Sequence, residues 1–199
     1  MSIINLVPLR EPRANQISTS IYFYSPKLNR QVWCESNLEF DAAIVLDHDP
    51  CVLEYCEQSV ELEWSKSKWI PDFVAVLEVN GKYKVFILEI KYMKELLGDK
   101  RRFKQKFSET QQWIDSHKHE LSKQITSLPV QSIELLIVTE LVLQQSFRVR
   151  NLRKLVQSEI ENQYDFALSL EMEKIMEQFS QIPIKSDRKS TRLNSSHYS

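Results

Sequence analysis

Apolar and polar positions along the chain alternate with two different periods, and the changes between them set out the predicted elements. Residues 1–20 are polar with two prolines and read as an extended arm. Ile21-Tyr22-Phe23-Tyr24 and Gln31-Val32-Trp33-Cys34 are short aromatic and β-branched runs, separated by a polar Ser25–Arg30 stretch, which predicts a loose hairpin. From Glu35 to about Leu46 the period becomes helical, with Leu38, Ala42 and Val45 on one face, until Asp47-His48-Asp49-Pro50 ends it. Val52–Cys56, Val60–Trp64, Ile70–Val79 and Tyr83–Lys91 read as strands. In the last two both faces are apolar, with Val74 and Val76 on one side and Phe73, Ala75 and Leu77 on the other. Strands buried on both faces belong to a central sheet covered by helices. A helix from Asp99 to about Leu121, a strand at Leu135–Val138 and a broken helical stretch from Phe147 to about Phe179 follow. The order predicts an α/β fold: a mixed β-sheet flanked by helices, with a helical C-terminal extension.

The turn between the two apolar strands sharpens this picture. Asn80-Gly81 between apolar runs is a strong signal for a two-residue hairpin loop. Counting outward from it, Val79 pairs with Lys82 and Asp72 falls opposite Glu89, with Cβ atoms about 5 Å apart. Lys91 lies on the same face as Glu89. Directly opposed carboxylates repel and weaken a hairpin, so this pair needs a compensating cation, either Lys91 or a bound metal. Asp72 and Glu89 offer hard oxygen ligands suited to Mg²⁺ or Mn²⁺, the ions of phosphodiester hydrolysis. The alternative reading of any Glu-x-Lys at a strand end is a solvated edge.

Composition bounds the rest. The 199 residues, 42% hydrophobic and 27% charged, suit a soluble globular chain with one sizeable core. A net charge of −1 gives no global attraction to DNA, so nucleic-acid contacts must come from local basic patches. Gly81 and Gly98 are the only glycines, which excludes P-loop and dinucleotide-type phosphate cradles. Cys34, Cys51 and Cys56 lack zinc spacing and read as buried reduced thiols. With no signal peptide and no membrane-length apolar run, a cytoplasmic location is expected. Asp187 to His197 looks like translated sequencing adapter, so residues 187–199 are expected to be an artefact and the natural C-terminus to be missing.

Glu39, on the predicted helix before the sheet, is a candidate third acid. Ser36-x-x-Glu39 is also a capping box, and the residues taken alone favour the cap. Glu35 and Asp41 are rival acids, although a helix turns Asp41 about 200° away from Glu39. His48, between two aspartates, reads as exposed, His117 and His119 as a polar helix end, and the four tryptophans as core or sheet-edge residues.

The series Glu-Ser-x-Leu-Glu-Phe-Asp (35–41), Glu57-Gln58, Pro71-Asp72-Phe73 and Glu89-Ile90-Lys91 resembles the TnsA endonuclease subunit of heteromeric Tn7-like transposons. The likeness is to the shorter, CRISPR-associated type, within the restriction-endonuclease-like PD-(D/E)xK superfamily. It spans about residues 20–140 and implies a nuclease domain over 21–146 with a helical region over 147–186. It also implies that Glu39, Asp72 and Glu89 are metal ligands and that Lys91 is catalytic. Gln replaces Glu89 in some TnsA proteins, and Ser59 departs from the proline found in many. The implied activity is cleavage of transposon 5′ ends in double-stranded DNA, beside a TnsB-like DDE transposase and a TnsC-like AAA+ ATPase. Lys100, Arg101, Arg102, Lys104 and Lys106 are the candidate DNA contacts. Arg148, Arg150, Arg153 and Lys154 read equally as a partner surface or a solvated helix face. A free-standing restriction- or resolvase-type nuclease and a catalytically degenerate bridging protein are the alternatives.

Overall fold

A computed structural model describes residues 2–11, 20–65, 67–144 and 149–158. Residues 12–19 of the expected arm, Arg148, residues 159–186 and the adapter-like 187–199 lie outside the described residues. The packed unit runs Met1–Val156, so it extends past the expected boundary at 146. Val149 and Val156, in the helical residues 149–158, are buried in its core.

The first strands, β1 (Ile21–Ser25) and β2 (Arg30–Cys34), form the expected antiparallel hairpin. Helix α1 (Asn37–His48) is capped by Ser36, whose Oγ accepts from the Glu39 amide at 3.1 Å. The central sheet has the order β3 (Val52–Glu57), β6 (Phe73–Val79), β7 (Lys82–Ile90), β8 (Val130–Val138). Its first two pairings are antiparallel and the last is parallel, which makes the sheet mixed. The β6–β7 hairpin has the counted register, Val79 opposite Lys82 through to Phe73 opposite Leu88. Asn80 (φ 53) and Gly81 (φ 70) both adopt the left-handed backbone that a type I′ turn needs.

The period-2 alternation sorts the sheet into two buried faces. Phe73, Ala75 and Leu77 join α1, β1 and β2 in one cluster. Val74, Val76, Val85 and Ile87 join Ile114, Leu121 and Ile125 in the other. Helices α3 (Lys100–Ser116) and α4 (Lys118–Ile125) supply the second face and carry the chain across to the parallel strand β8, after the short α2 (Met93–Gly98). Each fully buried aliphatic side chain here contributes about 1.5–3 kcal/mol. The short α5 (Glu140–Gln144) follows β8.

Several elements differ from the sequence reading. The strand expected at Ile70–Val79 begins at Phe73, because Pro71 lacks an amide and restricts Ile70 before it. Ser67–Trp69 instead forms β5, which pairs back on β4 (Leu62–Trp64) as a separate two-stranded sheet. The single helix expected over 99–121 breaks at His117, where Ser116 Oγ bonds back to the Trp113 carbonyl at 2.8 Å. The strand expected at 135–138 starts at Val130, its first half disguised by Gln131, Ser132 and Glu134. Ile4, in the described first part of the arm, is buried, bridges Thr126 and joins the second cluster.

Candidate active site

The open end of the β6–β7 hairpin carries the acids. The backbone ladder stops at Phe73, and the Asp72 side chain takes over from it, its Oδ2 accepting from the Ile90 amide at 2.6 Å. Alternation puts Asp72, Glu89 and Lys91 on the α3 face of the sheet, in line with Val74 and Ile87. Lys91 Nζ stands 3.3 Å from Glu89 Oε1 and 3.9 Å from Asp72 Oδ2. The expected convergence of two carboxylates and an ammonium is present.

Burial dominates the electrostatics. It pushes the Asp72 carboxyl up to about 7, with the negative charges of Glu89 and Glu39 adding to the rise and Lys91 and the Ile90 amide opposing it. Burial alone would lower the Lys91 ammonium, but Asp72 and Glu89 outweigh it and hold the group above its ordinary value. Lys91 therefore stays a cation at neutral pH.

The Asp72 backbone is fixed from β3. Gln58, at φ 41, donates its amide to the Asp72 carbonyl at 2.9 Å and accepts from the Leu9 amide at 2.9 Å. Beside it the buried Glu57 receives both guanidinium nitrogens of Arg30, each at 2.6 Å. Glu57-Gln58 is thus a clamp on the strand that presents Asp72. Sequence reasoning overlooked Arg30, which sat in an apparent loop with nothing to connect it to residue 57.

Glu39 does not join the other two acids. Its Oε2 accepts from the Glu35 amide at 2.8 Å and its Oε1 from Ser36 Oγ at 2.9 Å, the capping role that the residues alone favoured. Helix α1 packs on the opposite face of the sheet from Asp72 and Glu89. Its charge still reaches Asp72, and burial pushes its own carboxyl up. Among the described residues no group of three His, Cys, Asp or Glu side chains stands close enough to hold an ion together. Asp41 points elsewhere, as the helix angle required: it is buried and paired with Arg153 Nε. Arg150, Arg153 and Lys154 are all exposed, and Arg153 is committed to Asp41 within the packed unit.

The basic run on α3 splits by helical face. Lys100, Arg101 and Lys104 are exposed. Arg102 and Lys106, four residues apart and so on one side of the helix, turn toward the site. Lys106 Nζ is 3.8 Å from Glu89 Oε1 and 3.4 Å from the centre of the Trp69 ring. Burial holds its ammonium below the ordinary value, and Glu89 offsets part of that. Lys106 is thus a site residue as well as a DNA candidate, which follows only from how α3 docks. Glu89, Lys91, Lys106, Arg102, Trp64 and Trp69 are among the residues lining a cleft of about 460 Å³.

The remaining candidates are structural. His48 closes α1 with Nδ1 on the Ile44 carbonyl at 2.8 Å, half-buried where exposure was expected. His117 stacks on Trp113 at the helix break, and His119 is exposed. All three cysteines are free, but Cys51 is exposed, because it stands in the turn before β3. Among the described residues no helix is long and apolar enough to cross a membrane. The chain matches no protein-family model, and a search of curated proteins finds none similar to it.

Proposed function

We propose that this protein is a metal-dependent DNA endonuclease subunit of a transposase, cutting the 5′ ends of a transposon by hydrolysis. The single observation that carries the reading is the hairpin end, where Asp72 and Glu89 face one another with Lys91 between them. A buried carboxyl driven up to about 7 beside a second acid is a place where a cation can replace a proton. Both acids supply hard oxygens, so the donor set fits Mg²⁺ or Mn²⁺, with Asp72 and Glu89 as the ligands. Such an ion, when bound, polarises the scissile phosphate and acidifies its water.

The protein's own residues do the rest. The Ile90 amide fixes one oxygen of Asp72, and the Gln58 clamp fixes its backbone. Lys91, held protonated, is an electrostatic stabiliser rather than a base, and offsets the charge that grows on the phosphorus oxygens. Hydrolysis forms a bond from phosphorus to the water oxygen, with a water proton released to solvent, and breaks the one to the leaving sugar oxygen, which takes up a proton to become a hydroxyl. Lys106 adds a second cation on the Glu89 side.

Mn²⁺ calorimetry on the full chain, with nicking of supercoiled DNA in parallel, tests the reading. Wild type should bind the ion, and Asp72→Ala should lose both binding and cleavage with an unchanged circular dichroism spectrum. Nicking that survives Asp72→Ala sinks the assignment. The engagement of Glu39 in the cap favours a second reading, a non-catalytic bridge between DNA and a partner. That reading predicts no Mn²⁺ binding. The transposon role further requires a TnsB-like DDE transposase and a TnsC-like AAA+ ATPase as partners. A neighbouring DDE transposase gene separates it from restriction or junction resolution.

A further inference from the structure

The small β4–β5 sheet lies outside the central sheet, yet it brings two tryptophans to the mouth of the acid pair. The two rings have different surroundings. Trp69 contacts both Lys106, 3.4 Å from its ring centre, and Phe107, whose ring centre is 6.1 Å away. It packs against the second core cluster and acts as the shelf that positions Lys106. Trp64 belongs to neither core cluster, and one side of its ring faces the Arg102 guanidinium at 5.7 Å. Arg102 is tethered only loosely, with a side chain 69% exposed and an ion pair to Asp99 at 4.0 Å. Phe103 adds a third aromatic wall.

A planar group sandwiched at van der Waals contact needs roughly 7 Å between the planes on either side of it. The Arg102 guanidinium carbon is 5.7 Å from the Trp64 ring centre, so a further ~1.3 Å of separation reaches that spacing, a movement open to an exposed arginine side chain. Aromatic and guanidinium planes are the surfaces on which unpaired bases stack. Lys106 and Lys91 line the same cleft and supply two ammonium groups for a backbone phosphate. The cleft's volume of about 460 Å³ is in the range of built ligand sites. Both indole N–H groups also lack an acceptor among the described residues, although buried indoles ordinarily find one.

We infer that this cleft binds one unpaired nucleotide of a DNA strand, its base between Trp64 and Arg102 and its phosphate at Lys106 and Lys91. The inference rests on the nuclease reading for the identity of the strand, and it adds that DNA at the site is unstacked. Helix α3 and the β4–β5 sheet then form a recognition wall rather than general basic surface.

Binding without divalent ions tests this separately from cleavage. The probes are a fluorescein-labelled decathymidine and an abasic strand of the same length, titrated into the full chain. Decathymidine should bind and quench indole fluorescence, and the abasic strand should bind on the order of 5- to 100-fold more weakly, the range for one lost base stack. Trp64→Leu and Arg102→Gln should each erase most of the difference between the strands, and Trp64→Phe should restore part of it. If Trp64→Leu fails to fold, Arg102→Gln at its exposed position carries the test. Equal affinity for the two strands, no binding of either, or a difference that survives Arg102→Gln overturns the proposal. Failure here with Mn²⁺ binding intact leaves the nuclease reading standing, and the reverse result removes that reading but keeps the cleft.

Discussion

Replacing Asp72 with asparagine keeps an oxygen to accept the Ile90 amide and removes a charge that burial and Glu89 both disfavour. The consequence for stability has a definite sign. With a folded-state value of about 7 against 3.8, the native protein keeps a proton that the unfolded chain has released across that window. Wild-type stability therefore falls as pH rises between those two values and levels off above the upper one. At about 1.4 kcal/mol per pH unit the full effect is on the order of 4 kcal/mol. The Asp72 side chain is 12% exposed, so solvent screening reduces the expected effect. A value of roughly 2–4 kcal/mol is reasonable. Asp72→Asn removes this slope. Its advantage over wild type should be near zero at about pH 4 and reach the full amount at about pH 8. At ~2–4 °C per kcal/mol for a domain of this size, the gap in Tm should open to roughly 5–15 °C. Thermal melts in chelator across that pH range read it directly. Adding Mg²⁺ at about 100 times its Kd should raise wild type by ~2.7 kcal/mol and leave Asp72→Asn unmoved. Melting curves that stay parallel at all pH values, or a wild type more stable than the variant at the alkaline end, would refute the reasoning.

Three further outcomes are expected. Arg30→Met strands the buried Glu57 carboxylate, whose side chain is 2% exposed, and should cost on the order of 3 kcal/mol in urea unfolding. Gly81→Ala meets no atoms within 4 Å but must hold φ +70, so it should lose about 1 kcal/mol by backbone strain alone. Glu39→Gln preserves a capping acceptor and should leave both stability and Mn²⁺ affinity within about twofold of wild type if Glu39 only caps. A large loss of ion affinity would instead restore it as a ligand.

What could be read in the sequence is what local chemistry determines. Asn80 and Gly81 fix a loop whose register extends to the acids, so the positions of Asp72, Glu89 and Lys91 follow from counting. The faces of β6 follow from alternation for the same reason. The roles of Lys106, Trp69 and Arg30 depend on how α3 and the first hairpin dock, and no short-range pattern encodes a docking angle. Pro71 marks the start of β6, but the apolar run around it masks that boundary in the sequence. Glu39 shows the opposite difficulty. One Ser-x-x-Glu pattern served two explanations, and the folded chain uses the local one.

The order in which the site's parts meet has a kinetic consequence. The β6–β7 hairpin closes through a two-residue loop, a microsecond event, whereas Lys106 arrives only when α3 docks during the long crossover to β8. Early in folding the two acids therefore face each other with Lys91 as their only nearby cation. The open end of that hairpin should be frayed in the transition state while its turn is formed. Protons or divalent ions should then slow unfolding and leave the folding rate nearly unchanged, because the charge they supply matters only once the acids have closed on each other, after the transition state.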